Sequence, residues 1–376
     1  MTGYFFGSLL VKYDYHNPMK PKNTPKPITK RKNENIFTLL GLSLAIWLGF
    51  SACHKCHDYS PDMGSAASTW TKITSLPGNQ EFTVLTTSGN TIYAASSNGL
   101  VYSSADLGAT WVPSAVVKQG TNISALAVFN NTIYAGTQFD GIFASTNNGQ
   151  TWVNQSTISL VTSFTILNNN LYASSEQGNS PGDGLQILNK NAGTWGPFNT
   201  NGLPSNYDFI VKKTIAVNQS LISLRGVNGF FYTCNTANGQ WIATDYFNPH
   251  RVSTMQDVTY GSGTLLVTPG TMLYGSTNSG VTWAADTLGL QKEPGTINST
   301  HIRMLYSFNS KLYVVSNVLT GGGVCVQQRD ATAPVGTSWA TNSEVLPTAG
   351  FGYDFCSLNN VLFLATDNGI YFKKIA

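Results

Sequence analysis

Charge is scarce in this chain. Asp, Glu, Lys and Arg make up only 10% of its 376 residues, against roughly 25% in an average soluble domain. The net charge of +3 is also local. Seven basic residues (Lys12, Lys20, Lys22, Lys26, Lys30, Arg31, Lys32) and two acids (Asp14, Glu34) precede Cys53, which leaves 14 basic and 16 acidic residues from Cys53 onward. With no basic stripe in that part, no nucleic-acid partner is expected. Arginine is rarer still: Arg225, Arg251, Arg303 and Arg329 are the only four after Cys53. The sequence contains no G-x-x-x-x-G-K-[ST] and no H-E-x-x-H, so nothing points to a P-loop or a zincin. Gly321-Gly322-Gly323 lies between strand-like segments with no helix after it, which makes it no phosphate cradle.

What the chain has instead is 36 glycines, many Asn, Ser and Thr, and 41% apolar residues including 12% aromatics. That is the composition of a turn-rich β protein with a sizeable core and a neutral polar surface.

Residues 36–52 form an uncharged apolar run, IFTLLGLSLAIWLGFSA, behind a basic stretch, the pattern of an export signal. The run is at the short end for a spanning helix. Phe50-Ser51-Ala52-Cys53 resembles the lipobox of bacterial lipoproteins, with Phe50 in place of the usual aliphatic residue. The resemblance implies lipid attachment at Cys53; a retained membrane anchor and simple secretion are the alternatives. Met19, followed by Lys-Pro-Lys, makes a better start for such a signal than Met1. Residues 1–52 are thus expected to be an N-terminal extension and signal, and 53–65 a flexible tether. An outer-membrane lipoprotein, periplasmic or surface-exposed, is the expected location.

Cys53-His54-Lys55-Cys56-His57 also fits C-x-x-C-H, the attachment pattern of a c-type haem. A lipidated Cys53 has no sulfur left for a thioether, and the polar residues 58–68 offer nothing to enclose a porphyrin. No cluster at zinc-like spacing joins His54, Cys56 and His57. No cofactor and no metal are expected.

Repeats dominate the rest. Trp recurs at 70, 111, 152, 195, 241, 283 and 339, a period near that of a four-stranded propeller blade. NTIYAASSNGLVYSSADLGATW (90–111) aligns with NTIYAGTQFDGIFASTNNGQTW (131–152), and weaker copies follow. Alternating apolar residues mark the strands, and Asn-Asn and Asn-Gly pairs mark tight turns. Residues 66–376 therefore read as an all-β, seven-bladed β-propeller. The segment around Trp70 has no strands before it, and 357–376 has no Trp strand after it. Pairing the two completes the seventh blade and closes the ring; six blades result if 195–241 merge.

Ser104, Asp106, Gly108, Thr110 and Trp111 fit S-x-D-x-G-x-T-W. Ser145, Asn147, Gly149, Thr151, Trp152 and Ser276, Asn278, Gly280, Thr282, Trp283 fit it with Asn for the acid. These octets resemble the Asp-box, or BNR repeat, of sialidase-like and sortilin-like propellers, and of the photosystem II assembly factor-like propellers. In such turns the short polar side chain accepts backbone N–H bonds and the glycine takes a positive φ. The resemblance implies a structural role, on the face away from any ligand. The copies at Trp195, Trp241 and Trp339 lack the full octet and are expected to form looser turns.

Ligands are then expected on the opposite face, where longer loops collect Glu176, Asp183, Tyr207, Asp208, Tyr246, His250, Arg251, His301, Arg303, Tyr353 and Asp354. A sialidase needs three convergent arginines on a carboxylate; Arg225, Arg251 and Arg303 are the available set, and Arg329 falls near a box turn. Other glycosidases need two facing carboxylates. The leading expectation is a monomeric, non-catalytic scaffold that binds a protein or a glycan, tethered to the membrane by its lipid. A glycoside hydrolase and an assembly factor for a membrane complex are the alternatives. Export permits disulfides, and Cys325 and Cys356 fall in successive blades, where they can pair.

Overall fold

The structure, a computed structural model, describes residues 69–375 except 79, 178–183, 200, 203–209, 226–230, 245–254, 270, 292–300, 318–322, 340–343 and 347. The chain divides into two units, 1–59 and 60–376, and every described residue lies in the second. Cys53, the signal and the tether fall outside the described residues.

Twenty-eight strands form seven four-stranded antiparallel sheets. Blades 1 to 6 each use four consecutive strands. Blade 7 takes three from the C-terminus (Gly352–Leu358, Val361–Thr366, Gly369–Lys374), and its outermost strand is Thr71–Lys72 from the other end of the chain. Thr71 pairs with Phe372 and Lys72 with Tyr371. The Ile73 amide extends the pairing, donating to the Ile370 carbonyl at 2.8 Å. The segment 195–241 does not merge: 194–197 and 240–244 are the outer strands of two separate blades. The fold is the seven-bladed β-propeller, all-β, with no helix among the described residues.

The innermost strands are Phe82–Ser88, Ile123–Phe129, Val161–Leu167, Val211–Val217, Met255–Gly261, Ile302–Phe308 and Gly352–Leu358. Each contacts the innermost strand of the next blade, and the last contacts the first. Each turns into its second strand through a two-residue hairpin. Asn130-Asn131, Asn168-Asn169 and Asn359-Asn360 have positive φ at both central residues, the type I′ geometry that matches strand twist and that Asn tolerates.

The tryptophans staple neighbouring blades. Trp283 of blade 5 meets Phe231 of blade 4 edge-on at 5.7 Å and Trp195 of blade 3 meets Tyr134 of blade 2 at 5.9 Å, whereas Trp70, beside the closing strand, meets Phe355 of its own blade 7 at 5.6 Å. Trp241 and Trp339 are fully buried. Such edge-to-face pairs add about 0.5–1.5 kcal/mol beyond area burial.

The three octets form closely similar turns. In the first, Ser104 Oγ donates to Asp106 Oδ1 and accepts from the Gly108 amide, both at 2.8 Å; the Thr110 amide and hydroxyl donate to the Asp106 carboxylate at 2.9 and 2.6 Å. These bonds hold the Asp106 carboxyl below its ordinary pKa, against a desolvation that pushes it up. Asn147 and Asn278 reproduce the pattern and donate their amides to Thr151 and Thr282 at 2.9 and 2.8 Å. Glycine is required twice over at 108: φ is +93°, and a Cβ would sit 2.9 Å from Ile73 Cδ1 of the closing strand.

Two of the departing copies are not looser. At 190–193 and 236–239 the Gly193 and Gly239 amides close the turns onto Asn189 and Asn235 carbonyls at 2.8 and 2.9 Å, and the Asn side chains cap them. The turn before Trp339 is held by a buried ion pair instead. Arg329 Nη2 lies 2.6 Å from Asp286 Oδ2, and the guanidinium stacks over Trp339 at 4.9 Å. Burial raises the Asp286 carboxyl and lowers the Arg329 guanidinium, each opposed by the partner's charge.

Cys325 and Cys356 do not pair. All three propeller cysteines are buried; burial pushes the Cys234 thiol up to about 11 and Cys356 well above its ordinary value. They pack as small apolar side chains.

Candidate functional site: the mouth of the central channel

Every innermost strand carries the same irregularity. Its register against the second strand slips once, between its first residue and its third or fourth: 82/84, 123/125, 161/163, 211/213, 255/258, 302/304 and 352/354. A bulge re-aims the extra residue and kinks the strand. Seven bulges at one level produce a ring at the end where the blade-linking loops enter, opposite the octet turns. In order around the ring the extra residues are Thr83, Ser124, Thr162, Lys212, Gln256, Arg303 and Tyr353. They line a cavity of about 450 Å³, with Lys213, Asp257, Met304 and Asp354 among the residues one position further along.

The ring has two unlike halves. In blades 1 to 3 each hydroxyl donates to the first residue of the next innermost strand. Thr83 Oγ1 reaches the Ile123 carbonyl at 2.7 Å, Ser124 reaches that of Val161, and Thr162 reaches that of Val211 at 3.1 Å. In blades 4 to 7 the extra residues are longer. Lys212 lies 3.5 Å from Glu176. Tyr353 is bonded to Glu81; desolvation and then the Glu81 bond and charge raise its hydroxyl pKa, and Arg303 opposes them. Arg303 is exposed, and among the described residues its guanidinium has no hydrogen bond or ion pair.

Beneath the ring sit two carboxylates in matching geometry. Asp257 Oδ2 accepts the Leu305 amide at 2.7 Å and Oδ1 the Val258 amide at 2.8 Å; Lys213 Nζ is 2.5 Å from Oδ1. Asp354 Oδ2 accepts the Leu85 amide at 2.9 Å and Oδ1 the Phe355 amide at 2.8 Å. Each carboxylate thus clasps its own strand to the next blade, and Asp354 does so across the closure between blades 7 and 1. Desolvation pushes the Asp354 carboxyl up to about 6, with the Leu85 amide and Lys213 pulling it down.

Of the residues expected on the ligand face, Arg303, Tyr353 and Asp354 come together in this cavity. Glu176 reaches it through Lys212. His301 precedes the innermost strand of blade 6, where its carbonyl accepts the Asn317 amide at 3.1 Å. Asp183, Tyr207, Asp208, Tyr246, His250 and Arg251 lie outside the described residues. Arg225 is buried at the end of the second strand of blade 4, so Arg303 is the one arginine lining the cavity among the described residues. Thr83, Ser124, Thr162, Lys212, Lys213, Gln256 and Asp257 escaped the sequence reading. Their signal is the aligned tripeptide T-V-L, S-A-L, T-S-F, K-K-T, Q-D-V, R-M-L, Y-D-F one residue into each repeat's first strand.

The fold and its channel define a β-propeller with a polar mouth. The chain belongs to the DUF6242 beta propeller domain family, whose sequence profile matches residues 45–291. Similar solved structures include the extracellular domain of a one component system, BT4673, from B. thetaiotaomicron (14% identity, TM-score 0.60), matched over 82% of this chain and 40% of that one. This chain thus spans less than half of that protein's length. Virginiamycin B lyase from Staphylococcus aureus (11% identity, TM-score 0.60) is matched over 82% of this chain and 99% of that one. YCF48 bound to D1 peptide (12% identity, TM-score 0.59) is matched over 82% and 97%. At these identities the likeness is one of fold. A search of curated proteins returns no match.

Proposed function

We propose that this propeller is a non-catalytic binding scaffold, exported and tethered to the bacterial envelope by a lipid on Cys53, which takes a protein segment or glycan over the channel mouth. The observation that carries the reading is the division of labour in the mouth. Asp257 and Asp354, the two carboxylates that line the cavity, hold backbone amides of neighbouring strands. Arg303 and Tyr353 stand at the rim with their side chains presented to solvent. The octets fit the Asp-box class, whose turns are structural, and they lie at the far end of the blades from this rim. The folds of a bacterial extracellular domain and of a peptide-bound propeller are in keeping with such a role.

The test uses full-length protein in detergent on an array of polysaccharides and envelope-protein peptides, wild type against Arg303→Glu/Tyr353→Ala. The reading expects a ligand held at least tenfold more weakly by the variant and recovered from the wild type with its mass unchanged. A ligand held equally by both, or recovered cleaved, rejects it.

A further inference from the structure

Three aromatic side chains are strongly exposed among the described residues: Phe139 (70%), Phe351 (43%) and Tyr353 (37%). All three lie on the mouth face. Phe139 is in the loop between the second and third strands of blade 2, Phe351 in the linker entering blade 7, and Tyr353 in the ring itself. Exposed aliphatics follow no such rule; Val112, Val153, Ile242 and Val345 dot the outer strands, and Val281 sits in an octet turn.

The backbone on which the exposed phenylalanines stand is pinned by hydrogen bonds. The Phe351 amide donates to Asp367 Oδ1 at 3.1 Å, and its carbonyl accepts the Asp367 amide at 3.1 Å; the Gly350 amide adds a 2.9 Å bond to the same Oδ1. Around Phe139, the Gln138 amide donates to the Asn122 carbonyl at 3.1 Å, and the Asp140 amide to Thr137 Oγ1 at 2.9 Å. A large apolar ring exposed to water on a pinned backbone is a partly preorganised contact surface.

Next to Phe351 and Tyr353 stand planar polar groups: Glu81 on the Tyr353 hydroxyl and, with no bond among the described residues, the Arg303 guanidinium and Asp367 Oδ2. Flat rings flanked by forked donors and acceptors suit a pyranose, which has an apolar C–H face and vicinal hydroxyls.

The mouth disfavours the other occupants. A peptide strand needs a free sheet edge, and the innermost edges are clasped by Thr83, Ser124, Thr162, Asp257 and Asp354. A polyanion needs several uncompensated cations, yet Lys212 faces Glu176 and Lys213 faces Asp257, which leaves Arg303 as the single unpaired cation lining the cavity among the described residues. We infer that the rim formed by Phe351, Tyr353, Arg303, Glu81 and Asp367 is a subsite for a neutral saccharide. This rests on the binding-scaffold reading and narrows its ligand.

The experiment is calorimetry of the full-length protein with neutral oligosaccharides (from β-glucan, mannan and xylan), with oligogalacturonate and with an envelope-peptide pool. Wild type is compared with Phe351→Ala and Phe351→Trp, all first shown to melt alike. The inference expects at least one neutral oligosaccharide to bind, a loss of tenfold or more in Phe351→Ala, recovery in Phe351→Trp, and little change between 50 and 500 mM salt. Binding of only oligogalacturonate or peptide, weakened by Arg303→Glu, overturns the saccharide inference and leaves the scaffold reading standing. Saccharide binding untouched by Phe351→Ala, Tyr353→Ala and Arg303→Glu alike overturns both.

Discussion

At the scale of single residues, the channel is built from polar side chains that reach the next blade. Asp354 is the most exacting of them, since it joins the last blade to the first through the Leu85 amide. Its carboxyl is raised to about 6 in the folded protein from an ordinary 3.8. Between those values the folded protein holds a proton that the unfolded chain has released. Asp354 therefore adds stability as the pH falls through about 6, and the gain is complete below about 4. Asp354→Asn keeps an acceptor for the Leu85 amide and removes the titration. The wild type should gain on the order of 1–2 kcal/mol relative to this variant between pH 7 and pH 4.5, read from urea melts. Parallel pH profiles would contradict the assignment. Asp286, also raised to about 6, contributes equally to both proteins and cancels.

Legibility follows the range of the interaction. The octet turns can be read directly from sequence, because Ser104, Asp106, Gly108 and Thr110 bond to one another within four residues. Asp354 and Leu85 are 269 positions apart, and nothing local in Y-D-F announces that contact. That Arg303, Tyr353 and Asp354 share the face opposite the octets was legible; the carboxylate's clasping role was not. The departing turns misled because Asn189 and Asn235 cap them from a different position than the octet does.

At the scale of elements, the ring closes through a strand of two residues. Thr71–Lys72 is short, but Ile73 continues it with a backbone bond to Ile370 and packs its side chain against the Gly108 turn of blade 1. The Lys72 ammonium adds a 2.8 Å bond to Asn368 Oδ1. Ile73→Pro removes the donor and forces a clash at the closure, at a cost of about 3 kcal/mol. For a domain of this size that lowers Tm by about 5 °C, measured by calorimetry; an unchanged Tm would show that the closing strand contributes little. This closure was legible because one end of the repeat array lacked what the other supplied. The seven bulges were not, since a register slip leaves the alternation of apolar residues in each innermost strand almost intact.

At the scale of the whole molecule, the two faces of the propeller differ: the channel mouth opens on one and the octet turns lie on the other. The net positive charge of the chain lies before Cys53, where seven basic residues face two acids, against 14 basic and 16 acidic residues from Cys53 onward. Intact mass spectrometry of membranes from cells producing wild type or Cys53→Ala should find a diacylated species beginning at Cys53 only in the wild type. A soluble wild-type species, or one carrying a haem-sized increment, would show that C-x-x-C-H is chemistry and not tether. The central claim, that the mouth face is the binding face, is tested most directly by photocrosslinking in living cells. Benzophenone-bearing residues replace Phe351 at the rim or Val281 in the octet turn of blade 5, both exposed. The account predicts covalent adducts from position 351 and none from 281. Adducts from 281 with none from 351 would place the ligand on the opposite face and contradict it.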